Sequence, residues 1–344
     1  MDNNNNIIDY IEPVNNETNY WLVRTMGGDY YKEYVESNFI AIGYNEITVD
    51  DLLHLPTNEK LAKKSLQEMI KSKYESIRNV SYPSSQMYRF AHEMKEGDIV
   101  IVPSSSSHMV TFGIIDSDIY EESEQLHATY ACPFSKRRAV KWLKTTPRYK
   151  LPADLLLMFN SRHIISEITS YASFIDTFLN DFYVKGDTTY LVLRVKQEGT
   201  LTADDFTLIN DLMELFNDFS KKHGLGLTSK DIKMKMSVHS PGDIIAFCTS
   251  PLGIMTIGLF VMFIKGGHYS IKWLGLDADI PKLSQSIATI IRAVNEFLND
   301  HTKRKIVNQL SKKMDNMEID TPTSIIDIMK QLNQTNHPSK TDED

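Results

Sequence analysis

Cysteine is almost absent from this 344-residue chain, which carries only Cys132 and Cys248. The two share no metal-ligand or redox spacing, so a disulfide framework is excluded and buried thiols are the expectation. An excess of positive charge is missing as well. The net charge of −8 argues against wholesale coating of nucleic acid, although it leaves room for one basic face on an acidic body. The chain has no P-loop, no Gly-x-Ser-x-Gly and no His-Glu-x-x-His, and its ten histidines are scattered. His92, His108, His223 and His239 therefore read as surface or turn residues. No catalytic residue, no metal site and no cofactor is expected. The stretch from Met1 to Asn6 lacks both a basic n-region and an apolar core, so it does not read as a secretory signal, and a cytoplasmic protein is expected.

What is present divides the chain into parts. Residues 1–18 are Asn-rich and polar and read as a disordered tail. From 19 to 150, short β-branched or aromatic runs closed by Gly, Pro or Ser predict strands at Tyr20–Arg24, Phe39–Gly43, Asp98–Val102 and Met109–Ile115. Helical spacing of Leu61, Leu66, Ile70, Tyr74 and Ile77 predicts a helix between Glu59 and Arg78, with a shorter one from Ser85 to Lys95. Residues 151–185 carry Ile164, Ile168, Tyr171, Ile175 and Phe178 on one helical face and read as a helical connector. A second, α/β domain is expected at 186–300, with strands at Thr189–Lys196 and Ile232–Val238 and helices at Ala203–Lys222 and Leu283–Asn299. Residues 301–344 read as a helical to disordered polar tail. The fold class is α+β.

Between Tyr130 and Lys150 stand seven basic residues and no acidic one: Lys136, Arg137, Arg138, Lys141, Lys144, Arg148 and Lys150. Phe134, Trp142 and Tyr149 are interleaved among them. Cations neutralise phosphates and aromatic rings stack on bases, so the mixture suits a nucleic-acid surface; a solvated strand edge with core aromatics is the alternative.

The first domain also resembles the EVE-like branch of the PUA-like superfamily. The likeness is carried, in order, by Tyr20-Trp21-Leu22-Val23-Arg24, the Gly27-Gly28 turn, Ala41-Ile42-Gly43-Tyr44, Gln86-Met87-Tyr88-Arg89-Phe90, Lys95-Glu96-Gly97-Asp98, Phe112-Gly113-Ile114-Ile115 and Arg137-Arg138-Ala139-Val140-Lys141-Trp142. One departure is Gly43-Tyr44, where that branch has a Gly-Trp pair; an aromatic is kept. The resemblance implies a small β-barrel with flanking helices that reads DNA in prokaryotic modification-dependent restriction and antiphage proteins. It also implies a pocket for an extruded, often modified base, which aromatic faces and edge hydrogen bonds must repay for lost stacking and pairing. Trp21, Arg24, Tyr44, Ser85, Gln86, Arg89 and Trp142 are the expected pocket residues, and Lys136, Arg137, Arg138, Lys141 and Lys144 the expected phosphate contacts. Ser104 to Ser107 read as a hairpin turn, or as a loop that closes over the ligand.

Two rival readings start from the second domain. From Ile244 to Ile264, twenty-one residues carry no charge, a length that can span a bilayer and would make the protein a membrane-associated defence effector. Ser240-Pro241-Gly242 and Ser250-Pro251 instead favour a buried strand followed by an apolar core element. A degenerate or unrecognised nuclease is the other rival, because Asp187 precedes Arg194-Val195-Lys196 in the order of a metal-nuclease core; an arginine stands where a ligand is needed, and Asp204 and Asp205 would have to supply the remaining carboxylates. The preferred expectation is a sensor that binds DNA, with an effector subunit or further copies of itself as partners and a membrane as the less favoured one.

Overall fold

A computed structural model describes residues 7–123, 132–198, 202–236, 242–265 and 287–334. The chain is α+β and divides into two units, one formed by Glu17–Leu179 and the other by Met1–Asn16 together with Asn180–Asp344. Strand β1 (Glu12–Val14) lies in the second unit, where it pairs in parallel with β9 (Phe182–Lys185). The expected N-terminal tail thus contains a strand. Its polar sequence carries little apolar signal, and its backbone is satisfied by a partner some 170 residues away, which no local pattern announces.

In the first unit the elements run β2 (Tyr20–Val23), α1 (Tyr31–Glu36), β3 (Phe39–Ile42), α2 (Val49–Leu53), α3 (Glu59–Lys73), α4 (Ser81–Tyr88), β4 (Ile99–Pro103), β5 (Met109–Ile115), β6 (Tyr120–Glu121), β7 (Lys136–Pro147), α5 (Ala153–Leu156), β8 (Ile165–Glu167) and α6 (Ala172–Leu179). The sheet order is β3-β7-β5-β4-β2-β8, with β6 also on β7. The long β7 pairs with β3 along its first half and with β5 along its second, and the register shifts between Phe112 and Gly113. A bulge of this kind bends its strand, and β7 thereby carries the sheet around a corner. Gly113 is needed there, because a methyl at that position would lie 2.5 Å from Val140 Cγ1 and 2.6 Å from Trp142 Cε3.

Each sheet face has its own core. Trp21, Val23, Val100, Val102, Ile115 and Val140 point toward the helices α1 to α4, whereas Tyr20, Leu22, Ile99, Ile101, Val110 and Phe112 point toward α5 and α6. This alternation is the two-residue period of a strand covered on both sides. Residues 151–179 belong to this unit and are not a helical connector throughout: β8 interrupts them, and Ile165 is buried through pairing with Val23.

The second unit places β1-β9-β10-β12-β11 in one sheet, with β10 at Thr188–Val195, β11 at Lys233–Met236 and β12 at Gly242–Cys248. Helix α7 (Ala203–His223) starts with a Thr202/Asp205 capping box and ends at Gly224, whose φ of +67° suits the left-handed cap. Helix α8 (Pro251–Lys265) is buried on every side from Gly253 to Ile264. It touches β10, β12, α7, α9 (Ile287–Asn299), α10 (Arg304–Asn316) and α11 (Thr323–Gln334), so it forms a middle layer over which the sheet and the other helices close. Being apolar all round is what that position requires.

The uncharged run 244–264 is therefore a strand, a Ser-Pro break and a 15-residue helix. Among the described residues no helix is long and apolar enough to cross a membrane. Residues 304–316 and 323–334 are helical, as expected, but Leu310, Met314, Ile325, Ile328 and Met329 lie in the core, so these helices are not a polar tail. Of the expected Leu283–Asn299 helix, Ile287–Asn299 is observed, with Ile290, Val294 and Phe297 buried; Leu283 lies outside the described residues, as do Ser240, Pro241 and His239.

Candidate ligand rim of the first unit

The basic run at the start of β7 turns inward. Lys136, Arg137 and Arg138 are 0, 1 and 2% exposed. Arg137 pairs with Glu122 at 3.1 Å, donates Nε to the Phe134 carbonyl and lies 3.9 Å from the centre of the Phe39 ring. Arg138 donates to the carbonyls of Phe90, Ala91 and Ser117. Phe90 and Ala91 sit in the π-helical turn Arg89–Glu93, whose last carbonyls have no partner within the helix, so the guanidinium caps that end. The expected phosphate contacts at these three positions are thus corrected: with β3 on one side, β6 on the other and helices above, the cations serve carbonyls and a carboxylate. Lys141 and Lys144 are exposed, and Lys144 also donates to the Phe178 carbonyl while lying over the Phe178 ring.

The expected base pocket is dispersed in the same way. Trp21 is 2% exposed and donates its indole N–H to Asp98 Oδ2 at 2.8 Å; Asp98 also accepts the backbone N–H groups of Asn19 and Lys95. It is a core residue tied to a buried carboxylate and offers no free ring face. Gln86 and Arg89 complete the open edge of β8: Gln86 Oε1 accepts Ile165 N–H at 2.7 Å and Arg89 donates to the Ile165 carbonyl at 3.1 Å. Tyr82 Oη accepts the neighbouring Ile164 N–H. Side chains of α4 and of the turn that follows it thereby do for β8 what a further strand would do, which protects an edge that would otherwise present unpaired backbone. Ser85 is half-buried on the same helix. Trp142 is half-buried, with Nε1 donating to the Tyr34 carbonyl at 3.1 Å.

A chain of backbone hydrogen bonds, sequence neighbours and ring contacts runs from Arg24 to Tyr44 and outlines a rim. Arg24 N–H donates to the Ile164 carbonyl at 2.8 Å, and Ile164 N–H donates to Tyr82 Oη at 2.9 Å. Tyr82 neighbours Tyr44, whose phenol pKa is raised by desolvation and then by Tyr82 and Tyr74. Beside Tyr44, Gly43 packs under Phe134, where an added methyl would come within 3.1 Å of Cε1. Phe134 meets Tyr30 edge to face at 5.3 Å, and Tyr30 N–H returns to the Thr25 carbonyl next to Arg24. Tyr74 stands edge-on to Tyr44 and His163 lies 5.6 Å from Tyr82. Tyr31 Oη, Thr111 Oγ1 and Thr145 Oγ1 form a hydroxyl chain with links of 2.7 and 2.9 Å.

The backbone around the rim is unusual. Met26, Tyr44, Ser106 and Ser107 adopt positive φ, as do Gly27 and Gly28. Non-glycine residues hold such values only when their surroundings impose them, and they concentrate where ligands bind. Gly28 is pressed against Ser105, so the 26–28 turn and the Ser104–Ser107 hairpin tip touch. Ser104 to Ser107 form an ordered turn in which Ser104 Oγ accepts Met109 N–H.

Arg24 is partly committed, donating to the carbonyls of Phe159 and Ser161, and its pKa is lowered by desolvation and by Arg148. Burial also raises the Tyr30 phenol, with Cys132, Asp29 and Glu33 adding to the effect. A rim of phenols suits a flat guest with an electron-poor face. Tyr30, Tyr74, Tyr82 and Phe134 were missed as pocket residues. The adjacent Tyr30-Tyr31 after a Gly-Gly turn is the one signal in the sequence that marks them.

The nuclease arrangement is not assembled. Asp187 precedes β10, whereas Asp204 and Asp205 lie in the first turn of α7. Asp205 caps α7 through Thr202, and Asp204 faces Lys313 at 3.9 Å. Among the described residues no group of three or more His, Cys, Asp and Glu is placed to hold a metal ion.

A family described as a domain of unknown function (DUF8426) matches residues 20–166, from the first residue of β2 into β8, and so spans every strand of the first unit's sheet. No curated protein and no solved structure matches the chain.

Proposed function

We propose that the Glu17–Leu179 unit is a PUA-like reading module that takes a nucleobase, extruded from duplex DNA and carrying a modification, at the rim of Arg24, Tyr30, Tyr44, Tyr82 and Phe134. The observation that carries this reading is the group of aromatic residues along the rim, Tyr30 against Phe134 and Tyr44 against Tyr74, with Tyr44 in a left-handed conformation. Aromatic faces offset the few kcal/mol lost when a base leaves its stack, and the hydroxyl chain of Tyr31, Thr111 and Thr145 offers donors and acceptors for a base edge. Lys141, Lys144, Arg148 and Lys150 lie on the same strand and the turn after it, where they can meet backbone phosphates. With the resemblance of the first unit to EVE-like readers, this makes the whole chain a sensor in prokaryotic antiphage defence, with the second unit passing the signal to an effector partner.

The test is binding of duplexes that carry unmodified cytosine, methylcytosine, hydroxymethylcytosine or methyladenine in one sequence context. One modified duplex should bind better than the unmodified one, and Tyr44→Ala and Phe134→Ala should remove that preference while the fold stays intact. Equal, salt-sensitive binding to all four would reduce the unit to a basic surface.

A further inference from the structure

We propose that Lys136 is a positioning residue for the rim: its buried ammonium holds the Tyr44 carbonyl in place, so that ligand uptake follows the charge on this lysine. The ligand part of the inference rests on the reading of the rim given above; the pinning of Tyr44 stands on geometry alone. Lys136 opens β7 and pairs with Ile42, the last residue of β3. From Ile42 the chain passes through Gly43 to Tyr44, whose φ is +65°. A residue with a bulky side chain leaves that conformation unless something holds it. Lys136 Nζ donates to the Tyr44 carbonyl at 2.8 Å, and the lysine is completely buried.

The surroundings leave that ammonium poorly compensated. Glu121 from β6, Asp51 from α2 and Lys73 from α3 are the charges that act on it. Glu121 already accepts Val49 N–H and the Ser135 hydroxyl, and Asp51 accepts Lys73 Nζ at 2.9 Å together with Thr48 N–H. Burial consequently lowers the Lys136 pKa to about 8, with the two carboxylates opposing the shift and Lys73 adding to it. The neutral amine can still donate, but a charge-assisted hydrogen bond is about twice as strong as a neutral one. Loss of the proton should therefore loosen Tyr44 and lower affinity for the preferred duplex roughly tenfold between pH 7 and about 9.

The full chain, isotope-labelled, is followed by the amide resonance of Asn45, whose peptide group contains the Tyr44 carbonyl. That resonance should titrate with a midpoint near 8 in the native protein and stay flat in Lys136→Met. In parallel, duplex affinity should fall with pH in the native protein but not in Lys136→Met or in Lys136→Arg, which stays charged throughout and serves if the methionine variant does not fold. A native Asn45 amide that does not move near pH 8 overturns the pin. An identical pH dependence of affinity in the Lys136 variants overturns the link to uptake. If the amide titrates and no duplex binds at any pH, the DNA reading fails and takes the uptake link with it, while the pin holds.

Discussion

Titrating duplex affinity against salt counts the phosphates that a protein neutralises, and the structure sets an upper limit on that count. Of the seven cations between Lys136 and Lys150, three are sealed behind β3, β6 and the helices. Lys141, Lys144 and Lys150 are exposed and Arg148 is half-buried, which leaves four able to reach a phosphate. For B-DNA the slope of log K against log salt is about −0.9 per neutralised phosphate, so four contacts give a slope of about −3.6. Raising salt from about 50 to 200 mM should then weaken binding by about 150-fold, whereas seven contacts would weaken it by about 6,000-fold. The two cases differ well beyond the error of a fluorescence-anisotropy titration. Substituting Lys141 and Lys150 together by alanine should bring the slope near −1.8, by the same rule of about −0.9 each. A native slope steeper than about −5 would mean that other faces supply the phosphate contacts, and the assignment of β7 as the DNA-facing strand would be wrong.

Trp21→Phe should act on stability and leave ligand preference alone: it strips Asp98 Oδ2 of its 2.8 Å donor in the core, a loss of about 1–3 kcal/mol measurable by urea unfolding. A selective loss of modified-base binding with unchanged stability would return Trp21 to the pocket. Gly113→Ala forces a methyl against Val140, Trp142 and the Lys141 carbonyl and should cost about 1–3 kcal/mol by the same assay, with neutrality refuting the tight corner in β7. Relative to Lys136→Met, the native protein should gain stability as pH rises above 8, against the opposite effect, common to both, of Cys132 and Cys248, whose thiols burial raises. Lys136 titrates near 8 when folded and at 10.5 when unfolded, so in this window the unfolded chain binds more protons. The gain over Lys136→Met between pH 7 and about 9.5 is about 2 kcal/mol. Above about 10 the raised phenol pKa values of Tyr34, Tyr44 and Tyr74 act in the same direction as the thiols, because the unfolded tyrosines ionise first.

Elements whose signal is local were legible in the sequence. The runs at Tyr20, Phe39, Ile99 and Met109 are strands because their branched and aromatic residues fill two-sided positions, and the four-and-three spacing of Ala203–His223 is an amphipathic helix with its own caps. Spacing misled at Ile164, Ile168 and Tyr171. Those residues fall at helical intervals, yet the backbone between them pairs with β2, and pairing partners 140 residues away leave no trace in a short window. The same cause hid β1.

The largest displacement concerned charge. A Lys-Arg-Arg run is read as surface because unpaired cations cannot be buried, and that rule still holds here. What a linear reading lacks is the partner set: Glu122 for Arg137, the carbonyls at the end of the Arg89–Glu93 turn for Arg138, and the Tyr44 carbonyl for Lys136. Each of these acceptors exists only because another element folds over β7. It follows that two of the three cations are coupled to the rim, since Arg137 and Lys136 hold Phe134 and Tyr44, two of its aromatic residues. Arg137 donates to Phe134 and Lys136 to Tyr44 through backbone carbonyls, so a substitution at either should move a ring that it does not touch. The buried half of the basic motif therefore acts on the rim by fixing the backbone of its aromatics, while the cations left exposed lie on the second half of the same strand and the turn after it.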